Sequence, residues 1–193
     1  MYGLETITDK NDLKKSFLKL KRALFDKLYG GLNPEQRNAV YSVNGPLLVL
    51  AGAGSGKTTV LVKRIAHILR FGNAYYDSSV PEGITEQTLE GLSQLLKNGS
   101  EEEIASTLQS FACGVCRPWE VMTITFTNKA ASEMKTRLGK ILSEEVAADV
   151  WAGTFHSICV RILRKYTLEA GLKPNFTIYD TDDCKKIITQ CIK

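Results

Sequence analysis

With 193 residues, 44% hydrophobic and 24% charged, the chain has the size of one domain, or one domain with an appendage, and can bury a core. Its net charge of +4 permits a nucleic-acid partner without arguing for one. No apolar run approaches the ~20 residues of a membrane span, and the opening MYGLETITDKNDLKK has no apolar signal core, so a cytoplasmic location is expected.

Residues 11–29, NDLKKSFLKLKRALFDKLY, place Leu13, Phe17, Leu20, Leu24 and Leu28 at helical spacing. Lys14, Lys15, Lys19, Lys21, Arg22 and Lys27 crowd the other faces, which are expected to be solvated; a DNA- or partner-contacting arm is the minority reading. Residues 1–31 are taken as this basic amphipathic appendage. Gly30-Gly31 ends the helix, and Asn33-Pro34 starts the next as N-cap and first helical residue. Leu47–Leu50 reads as a short strand buried on both faces, followed by a glycine loop and a helix from Thr58 to Leu69, with Val60, Leu61, Ile65, Ile68 and Leu69 inward.

Residues 72–118 change character. Gly72-Asn73 and Pro81-Glu82-Gly83 are breakers, and helical patterns cover Thr85–Lys97 and Glu101–Phe111, the second with a Ser100/Glu103 capping box. This segment reads as a small helical insertion. Beyond it, strands are expected at Val121–Phe126, Val150–Gly153 and Phe176–Tyr179, and helices at Ala130–Leu142, His156–Ala170 and Asp182–Ile192. Short strands alternating with longer helices imply an α/β fold with a mostly parallel sheet flanked by helices.

Cys113, Cys116, Cys159, Cys184 and Cys191 are an odd, scattered set, expected to be reduced. Cys113-x-x-Cys116 supplies half of a zinc site, and with no second pair it reads as two loop thiols.

The stretch Ala51-Gly52-Ala53-Gly54-Ser55-Gly56-Lys57-Thr58 fits the phosphate-loop pattern, with Ala51 in place of the first glycine. The glycines let the backbone turn tightly and aim N–H groups inward, and the helix N-terminus adds partial positive charge. Lys57 supplies a full charge to the outer phosphates, and the Thr58 hydroxyl is placed to ligate a nucleotide-bound magnesium. Two further polar clusters, Thr127-Asn128 and Thr154-Phe155-His156-Ser157, follow expected strands. Each has a plain reading as a helix cap, yet C-terminal strand ends are where open α/β sheets bind ligands. Thr, Asn and His beside an exposed Phe suit a sugar-phosphate grip with a ring for stacking.

Leu32–Val40 (LNPEQRNAV), AGAGSGKT, TFTNKAASEM and GTFHS, in this order, resemble the Q motif and motifs I, Ia and Ib of UvrD/Rep/PcrA-type superfamily 1 DNA helicases. The resemblance covers 32–71 and 118–192. It implies that 32–193 is part of a RecA-like P-loop domain, the family's first (1A), and that the parent protein couples ATP hydrolysis to movement on single-stranded DNA. Gln36 would read the adenine edge. Ala51, Gly52, Ala53, Gly54, Ser55, Gly56, Lys57, Thr58 and Thr59 would hold ATP and Mg2+, with Lys57 and Thr58 the catalytic pair. Phe126, Thr127, Asn128, Thr154, Phe155 and His156 would line the DNA track. Thr59 departs from the family's usual arginine, and 72–118 lengthens a connection that is usually short.

The apolar strand ending in Asp-Glu that the family uses for hydrolysis is not found. Asp180 is a weak imitation, better read as the cap of the following helix. The chain therefore reads as an N-terminal portion of a helicase without turnover of its own. The alternatives are a small P-loop phosphotransferase, with Asp180 or Asp182 as base, and a non-catalytic nucleic-acid-binding module using the 11–29 helix.

Overall fold

The structure, a computed structural model, describes residues 10–179 and 181–192. Asp180 lies outside the described residues. Helix α1 (Lys10–Leu28) buries Phe17, Leu24 and Phe25, and α2 (Pro34–Tyr41) follows after a tight turn. Asn33 caps α2: its side chain accepts from the Gln36 backbone at 2.9 Å while the Gln36 side chain accepts from the Asn33 backbone at 3.1 Å. Behind the glycine loop runs α3 (Lys57–Arg70).

The 72–118 segment leaves and returns at one point. The Asn73 N–H donates to the Cys113 carbonyl at 2.8 Å, and the Cys113 N–H donates to Phe71 at 3.3 Å. Only glycine fits at position 72, where φ is +57° and a Cβ would sit 2.0 Å from the Cys113 carbonyl oxygen. Within the segment lie α4 (Glu86–Asn98) and α5 (Glu101–Gln109), the latter with the expected Ser100/Glu103 capping box.

Both helices pack against α1, and two cations expected on its solvated face are structural instead. Lys21 is fully buried, and its ammonium donates to the Asp77 carbonyl at 2.6 Å. Burial lowers its pKa, opposed by the Asp77 charge. Lys27 donates to the Leu96 carbonyl at 2.7 Å and reaches those of Leu95 and Lys97 at 3.5 and 3.4 Å. It thus caps the C-terminus of α4, where carbonyls lack helical partners.

After a single 3-10 turn at Pro118–Glu120 come β1 (Met122–Thr125), α6 (Asn128–Ile141), α7 (Glu144–Asp149), β2 (Trp151–Thr154), α8 (Phe155–Lys165) and α9 (Thr181–Ile192). Strands β1 and β2 pair in parallel, Met122 opposite Trp151 through Thr125 opposite Thr154. The α/β alternation and the parallel sense of the sheet agree with the sequence reading.

Three expectations change. Leu47–Leu50 belongs to no strand, with Leu48 82% and Leu50 86% exposed. Phe176–Tyr179 is likewise unpaired, with Ile178 and Tyr179 exposed. A strand exists only where a neighbour takes its N–H and C=O groups, and no ladder reaches either segment among the described residues. Helix α8 stops at Lys165, short of Ala170, and a turn closed by Gly171 follows. Helix α7 has no counterpart in the sequence reading, although Ser143 caps it and Glu144 and Glu145 occupy its first turn. Among the described residues no helix is long and apolar enough to cross a membrane.

Candidate nucleotide site and candidate nucleic-acid track

Two glycines set the loop before α3. Gly54 and Gly56 have φ of +74° and +78°, values that side-chain-bearing residues rarely adopt. Gly56 is the residue at which the chain turns into α3, so Lys57 begins the helix and Thr58 and Thr59 lie in its first turn. The Lys57 ammonium donates to the carbonyls of Ala51 at 3.1 Å and Gly52 at 2.5 Å. The Ser55 hydroxyl donates to the same Gly52 carbonyl at 2.7 Å. The loop is thereby drawn around its own lysine, and a phosphate would take over those ammonium protons.

Gln36 is tied to this loop. Its Nε2 donates to the Ser55 carbonyl at 3.0 Å while its Oε1 serves the Asn33 cap. A side chain at 56 would crowd that amide, since a Cβ there would come within 3.3 Å of Gln36 Nε2. Helix α2, the loop and α3 enclose a cavity of about 390 Å³, with Gln36, Ser55, Lys57, Leu61 and Arg64 in its wall. Leu61, expected in the core, faces this cavity and is 38% exposed. Ala53 and Gly54 form the exposed rim of the loop.

Sequence reading missed Arg64. Its guanidinium donates to the Ala39 carbonyl at 2.5 Å, joining α3 to α2 across the base of the cavity, and burial lowers its pKa. The signal was present: Lys57, Leu61 and Arg64 recur at i, i+4 and i+7, the spacing of one helical face.

The protein groups within reach of a nucleotide-bound magnesium are Thr58 and Glu35, and of the two only Glu35 lines the cavity. Thr58 is exposed on the first turn of α3 beside the Lys57 charge, and Glu35 is the only carboxylate in the cavity wall among the described residues.

The second cluster sits at the C-terminal ends of β1 and β2. The register sets Thr125 beside Thr154, so the two strand-to-helix turns are neighbours. In each turn a threonine caps the helix that follows. Thr127 accepts from the Ala130 N–H at 3.2 Å, and Thr154 accepts from the Ser157 N–H at 3.2 Å. The capping reading of both threonines therefore holds locally, and it leaves the aromatic rings outside. Phe126 is fully exposed, Phe155 is 62% exposed, and Phe155 meets His156 edge-on at 6.2 Å. Asn128 is exposed at the start of α6. These six residues come together at one edge of the sheet, and none of them lines the cavity.

Among the described residues no group of three or more His, Cys, Asp or Glu is arranged to hold a metal ion. Cys113 and Cys116 are unpaired thiols.

The model of the UvrD/REP helicase N-terminal domain matches residues 32–80 and 102–193. The ATP-dependent DNA helicase PcrA of Bacillus subtilis is 39% identical over 168 residues, 87% of this chain and 17% of that protein. The ATP-dependent DNA helicase UvrD1 of Mycobacterium leprae is 38% identical over 164 residues, covering 84% of this chain and 16% of that protein. PcrA of Leuconostoc citreum is 37% identical over 167 residues, 86% and 17% respectively.

Proposed function

The chain belongs to the UvrD/REP helicase N-terminal domain family, and from that premise we propose that residues 32–193 are the partial RecA-like P-loop domain of an ATP-dependent DNA helicase or translocase, with 72–118 inserted and 1–31 appended. The chain spans 16–17% of the length of the relatives described above, so ATP-dependent helicase activity on DNA is carried from their names to this chain by proposal.

The observation that carries the reading is the junction of Gln36 with the Ser55 carbonyl, beside Lys57 at the head of α3. This contact supports the reading because an amide able to read a base edge is tied to the loop that would cradle phosphate. On binding, Lys57 exchanges the Ala51 and Gly52 carbonyls for the outer phosphates, and Gln36 turns from Ser55 toward adenine. Thr58 would hold the magnesium, which supplies charge neutralisation for the triphosphate. Phe126 and Phe155 offer faces for bases, while Thr127, Asn128, Thr154 and His156 sit where sugar-phosphate would pass.

Hydrolysis needs carboxylates to hold the metal and orient water. With Glu35 the only one in the cavity wall among the described residues, this chain alone is expected to bind nucleotide without turnover. The test is thermal shift with magnesium–ATP and magnesium–GTP. Stabilisation is expected with ATP, weaker with GTP and lost in Lys57→Ala. No shift with either nucleotide defeats the reading at the site. In parallel, Phe126→Ala should weaken single-stranded DNA binding by about tenfold, one stacked base in free energy.

A further inference from the structure

Helix α1 lies outside the residues matched by the family, as does α4, and the two pack on each other. They form a layer added to the family core, locked in place by the buried Lys21 and by the Lys27 cap on α4. What this layer presents to solvent is strongly charged. Lys10–Leu28 holds seven cations against Asp12 and Asp26, a surplus of five, whereas the whole chain has a surplus of four. The remainder of the protein therefore carries one net negative charge, and the basicity is concentrated on this helix.

The structure sorts the cations by role. With Lys21 and Lys27 turned inward, Lys15, Lys19 and Arg22 remain exposed at i, i+4 and i+7, a single stripe. Lys14 is exposed beside it. Opposing charge on this face is slight. Asp12 pairs with Lys15 at 3.8 Å in an exposed i,i+3 contact. Asp26 accepts from the Tyr41 hydroxyl at 3.1 Å and faces Arg37 at 4.0 Å. The nearby ring of Tyr75 is stacked on Tyr41, centroids 3.8 Å apart, and is not presented to a base.

We infer that the Lys15–Lys19–Arg22 stripe of α1 is a docking surface for the phosphate backbone of duplex DNA, separate from the nucleotide cavity and from the Phe126/Phe155 edge. The inference shares its DNA partner with the helicase reading but none of its residues. A stripe about 10 Å long at the helical rise of 1.5 Å per residue spans about three phosphate steps of one strand, each about 3.4 Å along the duplex axis. The stripe itself carries no ring of the kind that stacks on single-stranded bases, and of the tyrosines beside it Tyr75 is stacked on Tyr41 while Tyr76, 47% exposed, meets Tyr75 edge-on at 5.0 Å. Such a surface anchors duplex without reading its sequence.

The test is binding of the full chain to a blunt DNA duplex of about 20 base pairs, titrated with salt. The variant is Lys15→Gln/Lys19→Gln/Arg22→Gln. The expected result is about tenfold weaker duplex binding and a log–log salt slope shallower by about 3, one for each phosphate that the variant no longer neutralises. Single-strand binding and melting temperature stay unchanged. Phe126→Ala and Lys57→Ala should leave the duplex isotherm where it was, so failure of the helicase reading is seen in those variants and not in this one. Duplex affinity and salt slope identical to the parent chain would overturn the proposal and return α1 to a solvated face. So would duplex binding that disappears with Phe126→Ala.

Discussion

The two packed regions of the molecule are built differently. The helical region around α1, α2, α4 and α5 closes on large rings and aliphatics, among them Phe17, Phe25, Tyr41, Phe71, Ile104 and Leu108. Phe25 meets Phe71 edge-to-face at 5.4 Å, and Phe17 meets Phe111 at 5.1 Å. The sheet region is held by a smaller aliphatic set, Val62, Ile65, Ala66, Met134, Leu138, Ala147 and Val150. Around it Met122, Ile124 and Leu163 remain exposed. Helix α3 belongs to both, giving Val60 to the first and Val62, Ile65 and Ala66 to the second. The helix behind the glycine loop is therefore fixed from two sides, while the segment leading into the loop is fixed from neither. Helix α3 itself packs on α2 and α6, both within the family match.

The sharpest way to break this comparison is to empty the better-packed side. Phe25→Ala should cost about 4 kcal/mol in denaturant unfolding, because a fully buried ring is removed from a closed cluster. Met134→Ala in the sheet region should cost about 2 kcal/mol, at the low end for large-to-small changes, since its surroundings can relax. Equal losses would mean that the two regions are equally tight.

Acid offers a second probe of the helical region, intermediate in size. His67 is fully buried among Phe25, Tyr29, Tyr41 and Phe71, with Nδ1 3.1 Å from the Tyr29 hydroxyl and Nε2 without a partner among the described residues. Burial, and then the Arg64 charge, push its pKa down to about 4. The unfolded chain takes up this proton near pH 6.5 and the folded chain only near 4. The stability from keeping His67 neutral is thus fully present above pH 6.5 and is lost as pH falls toward 4. The loss amounts to about 3 kcal/mol. Unfolding free energies measured across that window should show this slope, and His67→Gln should flatten it.

The smallest effect tests how the added layer is attached. Lys27→Met removes the charge that caps α4 and should cost about 1 kcal/mol. Faster hydrogen exchange is expected in the last turn of α4, with that of α6 unchanged. Equal acceleration in both helices would show that the two regions open together.

Sequence alone determined what is local. The Asn33 cap, the Ser100/Glu103 box, the start of α3 to within one residue and the two threonine caps were all legible, because each depends on residues within one turn of one another. After Pro118 two of the three expected strands and all three expected helices were legible for the same reason, since apolar periodicity is a property of short windows, while α7 was missed and Phe176–Tyr179 formed no strand. Tertiary structure alone decided which apolar runs became strands and which charges stayed in water. Leu47–Leu50 (LLVL) is the more apolar run, yet Met122–Thr125 (MTIT) is the one that finds a partner, and strand pairing is made with residues far along the chain. Lys21 and Lys27 are indistinguishable by type from Lys15 and Lys19. Their roles were set when residues 77 and 95–97 folded back over α1 and left carbonyls in need of donors.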